Sequence, residues 1–398
     1  MDFFNHIGFI TFDYTLLLMR RKSKFILIFL VLVLAAGFIY FKSLKTRHQE
    51  LIKSKIYYTL NLVDSDWKKD LDENKAVFTS PTFVISNIYK SMEGPKSDQF
   101  VVIDDSKEEL LWLTSFKTNA VSSDETRKMS NDFVCHTNFE YRDAEHYNRW
   151  NMTERINSQY PRITSISNGV ESFELPEGFG FPVFSNERLF INAQALNHNI
   201  SDSTFNIKHK IEIGYTKHSQ KALIPLQPKT VFMMFPYNPN DPFKGPTEQL
   251  PNACIPVETK NHSYLDVEGN ALSGHWIIAP GKHNYTYDAS QQLQIKDSIR
   301  LHQITSHLHP FANRFQLKDK TTNEIIYDCK SENFTDKIGL KNTPSFSSQN
   351  GIWMYENHTY EMLLEINNTT STDQEMMASM AIFYYDGDME NKVRALKL

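Results

Sequence analysis

Residues 306–312 read Ser-His-Leu-His-Pro-Phe-Ala. On an extended strand, residues two apart face the same way, so His307 and His309 present two imidazoles side by side, an arrangement that suits a metal ion. Two surface histidines on an ordinary strand give the same string. Residues 376–385, Met-Met-Ala-Ser-Met-Ala-Ile-Phe-Tyr-Tyr, place methionine in an apolar strand. Methionine there is usually core filling, yet beside two imidazoles its soft thioether favours Cu(I) over zinc, magnesium or calcium. Cys135 and His136 are adjacent in Phe-Val-Cys-His-Thr-Asn. Neighbours on a regular strand face opposite sides, so both reach one ion only where a bulge or strand end turns them inward. The alternative is a buried thiol beside a hydrogen-bonded histidine. His198 follows the alternating run that ends Gln194-Ala195-Leu196-Asn197. It stands either as an available ligand or as a structural histidine.

Other chemistries lack their sequence signatures. There is no G-x-S-x-G elbow, no P-loop and no H-E-x-x-H. His209, His262, His302 and His358 are scattered and read as structural or surface residues. The N-x-[ST] sequons at Asn284 and Asn357 are at chance level in a chain rich in Asn, Ser and Thr.

The elements that must position these residues are strands. From Phe100 onward, short apolar runs alternate with turn-rich segments: 100–103, 110–114, 133–141, 189–196 and 208–215, then 275–279, 299–304, 314–317, 325–329, 360–366 and 377–385. Such spacing predicts an all-β chain of sandwiches or barrels. The stretch 236–251, PYNPNDPFKGPTEQLP, admits neither a helix nor a central strand. It divides the chain into a β-domain over 76–235, a linker over 236–264 and a second β-domain over 265–390. The chain of 398 residues, with a net charge of −5 and no arginine-rich run, has room for two cores and no footprint for nucleic acid.

Residues 25–41, FILIFLVLVLAAGFIYF, are uncharged and just long enough to cross a bilayer. Arg20, Arg21, Lys22 and Lys24 precede them, which predicts a signal anchor with residues 1–24 in the cytoplasm and the bulk of the chain outside. Lys42, Lys45 and Arg47 on the far side weaken the charge asymmetry. No small-x-small cleavage site follows. Met19 offers a second possible start, and residues 42–75 read as a helical or irregular stalk. Three cysteines exclude a dense disulfide scaffold, with Cys254 and Cys329 as the one candidate pair.

Taken together, these segments resemble the copper type II, ascorbate-dependent monooxygenases, the family of the peptide-amidating hydroxylase and dopamine β-hydroxylase. His307 and His309 fall on the family's H-x-H pair and Met377 on its copper methionine. Gly274-His275-Trp276, the Pro280-Gly281 turn, Gly339-Leu340, Pro344-Ser345-Phe346, Tyr360-Glu361 and the closing Tyr384-Tyr385 also match, over most of 270–387. The N-terminal half is more distant. Cys135-His136 stands where the family has His-His. Leu196 stands on its third ligand, with His198 as the nearest substitute.

The resemblance implies two tandem jelly-roll-like β-sandwiches behind the membrane anchor, with one or two copper ions. It implies ascorbate or another one-electron reductant as co-substrate and hydroxylation of a small-molecule or peptide substrate by O2. His307, His309 and Met377 would hold the oxygen-activating copper, and His136, His198 and Cys135 the electron-transfer copper. Thr305, Ser379 and Ala381 replace the family's arginine, asparagine and tyrosine at the substrate site, which argues against a C-terminal peptide carboxylate. Two further expectations compete: a copper-binding protein that keeps only the C-terminal site, and a metal-free binding scaffold. Convergence of Cys135, His136 and His198 on one point would favour the hydroxylase.

Overall fold

Thirteen consecutive apolar or small residues, Phe25–Gly37, leave a helix as the only element that satisfies its own backbone in an apolar medium. They lie in helix α1 (Arg21–Ser43). The computed structural model describes residues 21–89, 91–238 and 268–396. The first 20 residues, with the alternative start at Met19, and most of the proline-rich linker, with Cys254, lie outside the described residues. Within α1, Ser23–Ser43 is long and apolar enough to cross a membrane. Helix α2 (Thr46–Thr59) follows.

Twelve strands precede the linker: β1 (Lys68–Leu71), β2 (Lys75–Thr79), β3 (Phe83–Ile85), β4 (Lys96–Val101), β5 (Leu110–Ser122), β6 (Val134–Tyr141), β7 (Arg162–Ser167), β8 (Ser172–Glu174), β9 (Phe179–Phe184), β10 (Leu189–Ala195), β11 (Phe205–Lys217) and β12 (Ile224–Phe232). Thirteen more are described from there on: β13 (Phe235–Pro236), β14 (Leu272–Ser273), β15 (Trp276–Ile278), β16 (Gly281–Asp288), β17 (Ser298–Leu308), β18 (Ala312–Asp319), β19 (Glu324–Lys330), β20 (Glu332–Asn333), β21 (Leu340–Asn342), β22 (Phe346–Tyr355), β23 (Tyr360–Asn368), β24 (Gln374–Met376) and β25 (Ala378–Tyr385). The fold is all-β, two jelly-roll-like sandwiches in tandem. The runs expected from alternation coincide with β4 to β6, β10, β11, β15, β17 to β19, β23 and β25.

In the first sandwich, the sheet β4-β10-β6-β7 faces a sheet built on β2, β11, β5 and β9. Large aromatic side chains fill the space between them, among them Trp112, Phe116, Phe139 and Tyr141. In the second, β16-β23-β18-β19 faces β12-β25-β17-β22 around a core that holds Trp276, Phe315, Leu364 and Met380.

The sandwiches share one long sheet, ordered β1-β2-β11-β5-β9-β12-β25-β17-β22. The domain boundary expected at residue 235 therefore falls beyond a strand that already belongs to the second half. β12 pairs antiparallel with β25 from Leu226↔Tyr385 to Phe232↔Ser379, and touches β9 only through Ile224 and Pro225. Leu226 enters the first core and Val231 the second. Past Pro225 no strand among the described residues pairs with the other edge of β12, where Pro228 can sit without a missing ladder bond.

Part of the segment expected as a stalk also joins the fold. β1 pairs with β2. The Tyr58 hydroxyl donates to the Thr82 carbonyl at 2.9 Å, and that of Tyr89 to the buried Glu50 carboxylate at 2.8 Å. Cys135 and Cys329 are both free, buried thiols, so the structure contains no pairing through Cys329.

Candidate metal centre

Side-chain alternation on three strands of the second sandwich produces one wall of a cavity. β17 and β25 are in register with His307 opposite Ser379 and Thr305 opposite Ala381. These four, with Thr230 and Phe232 of β12, point away from the second core towards the first sandwich. Their sequence neighbours Leu308, Ala378, Met380 and Val231 point into that core. Met377 lies between β24 and β25. Its carbonyl accepts the His309 backbone N–H at 3.2 Å, which sets it beside the histidine pair. It lines the cavity with His307, whereas Met376 and Met380 are core residues.

The facing wall is the sheet β4-β10-β6-β7. His136, Asn138 and Glu140 alternate along β6, and Asn192, Asp98, Lys96 and Arg162 extend the same face. The cavity between the walls measures about 310 Å³. A second, smaller cavity of about 60 Å³ is lined by Cys135, His198, His307, His309 and Glu375. His307 thus belongs to both.

A register shift at Gln194/Ala195 explains the division of the first-domain residues. His136 pairs with Gln194, but Val134 pairs with Ala195, so Cys135 is left without a partner on β10. The Cys-His dipeptide straddles this bulge, so both side chains leave the first core on the side of the second sandwich, but His136 lines the larger cavity and Cys135 the smaller one. Ser91 Oγ lies 3.9 Å from the thiol sulfur. Burial raises the Cys135 pKa and keeps the thiol protonated.

The histidines are neutral. Burial pulls the rings of His136, His307 and His309 down to about 3 and that of His198 to about 4. Neighbouring imidazoles add to the effect, His307 on His136 and His309 on His307. His309 Nδ1–H donates to the Glu375 carbonyl at 3.2 Å, which fixes the tautomer and leaves Nε2 with its lone pair. His136 Nε2–H donates to Asn192 Oδ1 at 3.1 Å, and Asn192 in turn donates to Asp98. His307 has no hydrogen bond to protein among the described residues.

The donor set can be tested against copper by distance. Metal–nitrogen bonds of roughly 2 Å leave two imidazole centroids on one ion about 5–6 Å apart. His307 and His309 are at 5.8 Å, within that range, while His136 and His307 are at 6.5 Å, just beyond it. Neutral imidazoles and a thioether are soft, uncharged donors of the kind that suit Cu(I). Met377 shares the larger cavity with His307, while His309 lines the smaller one. Among the described residues, no group of three or more histidine, cysteine, aspartate or glutamate side chains is drawn together to hold an ion. The electron-transfer set expected from Cys135, His136 and His198 is therefore not assembled. His136 lines one cavity, and Cys135 and His198 the other.

Several residues of this region were not singled out as ligands or site residues from the sequence. His275 lies with its ring 5.2 Å from that of His309 and its Nε2 3.8 Å from Glu375 Oε2. It is delivered by the pairing of β15 with β24, and its place in the Gly-His-Trp segment was the available signal. Met92, at φ 64°, lines the larger cavity and packs on the small cluster of Phe232, Met234 and Met377. No sequence pattern marks it. At the far end of the larger cavity Arg162 Nη2 binds Glu140 at 2.6 Å, and the Tyr160 hydroxyl donates to the same carboxylate at 3.0 Å.

No family model matches the chain, and no curated protein matches it. Among solved structures, one described as the STIV MCP aligns over 83% of this chain and 100% of its own, with 9% identity and a TM-score of 0.31. A structure of PNGF-II aligns over 76% of this chain and 65% of its own, with 10% identity and a TM-score of 0.28. Neither description names a copper protein. At these scores the architecture rests on the strands and their pairing, described above.

Proposed function

We propose that this protein is a membrane-anchored, copper-dependent oxidoreductase of the monooxygenase type that works with one copper. The observation that carries this reading is the placement of the His307 ring, without a hydrogen bond among the described residues, beside Met377 on the wall of a chamber of about 310 Å³. That volume suits a small molecule. His307, His309 and Met377 would hold the metal. Copper there would supply activation of O2, so that one oxygen atom enters a C–H bond and the other leaves as water, with two electrons from ascorbate or another one-electron reductant. The chain's own part is to keep three neutral donors in place, shield them from bulk water and orient the substrate. The chamber's cations are each paired with a carboxylate, Lys96 with Asp98 and Arg162 with Glu140. An uncharged or zwitterionic substrate fits that balance better than a carboxylate. Arg20, Arg21, Lys22 and Lys24, ahead of the apolar run, support a topology with the bulk of the chain on the extracytoplasmic side.

The separation of His136 from Cys135 and His198 favours a second reading, a copper-binding protein that performs no hydroxylation. Metal analysis of the purified full chain, together with oxygen uptake in the presence of ascorbate, separates the two. The first reading requires one copper per chain and ascorbate-dependent oxygen consumption that Met377→Ala abolishes. Copper without oxygen consumption selects the second. A chain that takes up no copper excludes both.

A further inference from the structure

Helix α2 carries its apolar residues on the wrong side for a soluble fold. Leu51, Ile52, Lys55, Ile56, Thr59 and Leu60 are all exposed, and their spacing makes one continuous stripe along the helix. Four of the six are large and apolar, with Ile56 49% and Leu60 62% exposed. The opposite face, which meets the first sandwich, is polar. Glu50 is buried there with Lys53 at 2.6 Å and the Tyr89 hydroxyl at 2.8 Å, and Tyr58 bonds the Thr82 carbonyl. Packing within the fold therefore does not account for the stripe.

The covalent chain supplies its occupant. Only Leu44 and Lys45 separate the end of α1 at Ser43 from the start of α2 at Thr46. Three residue steps span at most roughly 11 Å. If α1 crosses a bilayer, the start of α2 is held at that bilayer's surface. The segment from 42 to 60 also carries five lysine or arginine residues against one glutamate. Basic residues flanking an apolar helical stripe are the features that seat a helix in the headgroup region of an anionic membrane.

We infer that α2 is an interfacial membrane helix. Leu51, Ile52, Ile56 and Leu60 enter the headgroup–acyl boundary of the leaflet from which α1 emerges, while Glu50 and Tyr58 hold the first sandwich against that surface. This rests on the reading of α1 as a retained anchor, and the experiment below tests the two separately.

Full-length protein is reconstituted into vesicles of phosphatidylcholine and phosphatidylglycerol, with or without bromine on the acyl chains. Tryptophan emission is compared between the parent and three single variants. Phe38→Trp reports on α1, Ile56→Trp on the stripe, and Thr322→Trp on a distant exposed turn. Bromolipid is expected to quench the added emission of Phe38→Trp and, by roughly twofold or more, that of Ile56→Trp, and to leave Thr322→Trp unchanged. Quenching at Phe38 without quenching at Ile56 overturns the interfacial helix and leaves the anchor standing. Emission from Ile56→Trp that is unquenched but blue-shifted as protein density rises assigns the stripe to a second copy and also overturns the proposal. Absence of quenching at both positions removes the anchor and the interfacial helix together.

Discussion

His136 and His307 come from different sandwiches, and their ring centroids lie 6.5 Å apart across the cavity. The distance is too long for the two rings to share one ion comfortably, and short enough for His307 to add to the burial that depresses protonation of His136. The His136 ring is also tied to Asn192, whereas the His307 ring makes no hydrogen bond among the described residues. This asymmetry supports the proposal that the metal is held by the second sandwich.

Cu(I) titration of the full chain tests that assignment. Met377→Ala should weaken the tighter site by about tenfold or more, since loss of even a supporting partner costs that much. His136→Ala should leave the site intact. The opposite pattern would place the working copper in the first sandwich.

The two faces of β25 predict different costs for the same substitution. Met380 is fully buried in the second core, so Met380→Ala should destabilise the protein by about 3 kcal/mol through lost contacts and a residual cavity. Met377 is also buried, beside Phe232 and Met234, but one side of it lines the cavity, so Met377→Ala should cost less, about 2 kcal/mol. Denaturant melts of the two variants decide. Equal losses would mean that the strand is out of register.

Arg155 of the first half grips the chain end of the second. Its Nη1 and Nη2 bind Asp386 at 2.5 and 2.9 Å, and Asp386 Oδ1 also accepts the Met389 N–H at the start of the C-terminal helix, Gly387–Ala395. Asp386→Ala removes a mostly buried ion pair and a helix cap and should cost about 3 kcal/mol. Asp386→Asn keeps the cap and should recover about 1 kcal/mol of that. If both variants melt with the parent, the clamp contributes nothing.

Stability should fall in mild acid. His209 is fully buried beside Phe83, and burial holds its ring at about 4, against about 6.5 in an unfolded chain. Between those values the unfolded state takes up a proton that the folded state refuses. The contribution is therefore complete above pH 6.5 and lost as the pH falls through 4, to a total of about 3 kcal/mol. His136, His307 and His309 act in the same direction. Thermal midpoints of the copper-free chain should drop steadily from neutral pH to pH ~4.5, and His209→Gln should flatten the slope. A midpoint independent of pH would contradict the burial of these rings.

What the sequence by itself determined is local. The apolar run of α1, the strands β4 to β6, β10, β11, β15, β17 to β19, β23 and β25, and the common face of His307 and His309 follow from periodicities of a few residues. Met377 is preferred to Met376 and Met380 through the resemblance to the copper monooxygenases, whose spacing to Tyr384-Tyr385 it keeps, and in the structure it is Met377 that borders the cavity. Tertiary structure decided the rest. β12 reads as the last strand of the first domain, yet its ladder lies with β25, some 150 residues further along the chain, because sheet order depends on which edges meet. Cys135 and His136 read as a candidate ligand pair only if a bulge turns both one way; the bulge opposite Gln194/Ala195 is present, yet the two side chains line different cavities. His275 and Met92 carry no pattern of their own, and they reach the site only because separate strands and a left-handed turn deliver them there. A strand's own residues dictate which side chains share a face. Which two faces enclose a cavity is set by the packing of sheets whose residues are far apart in the chain.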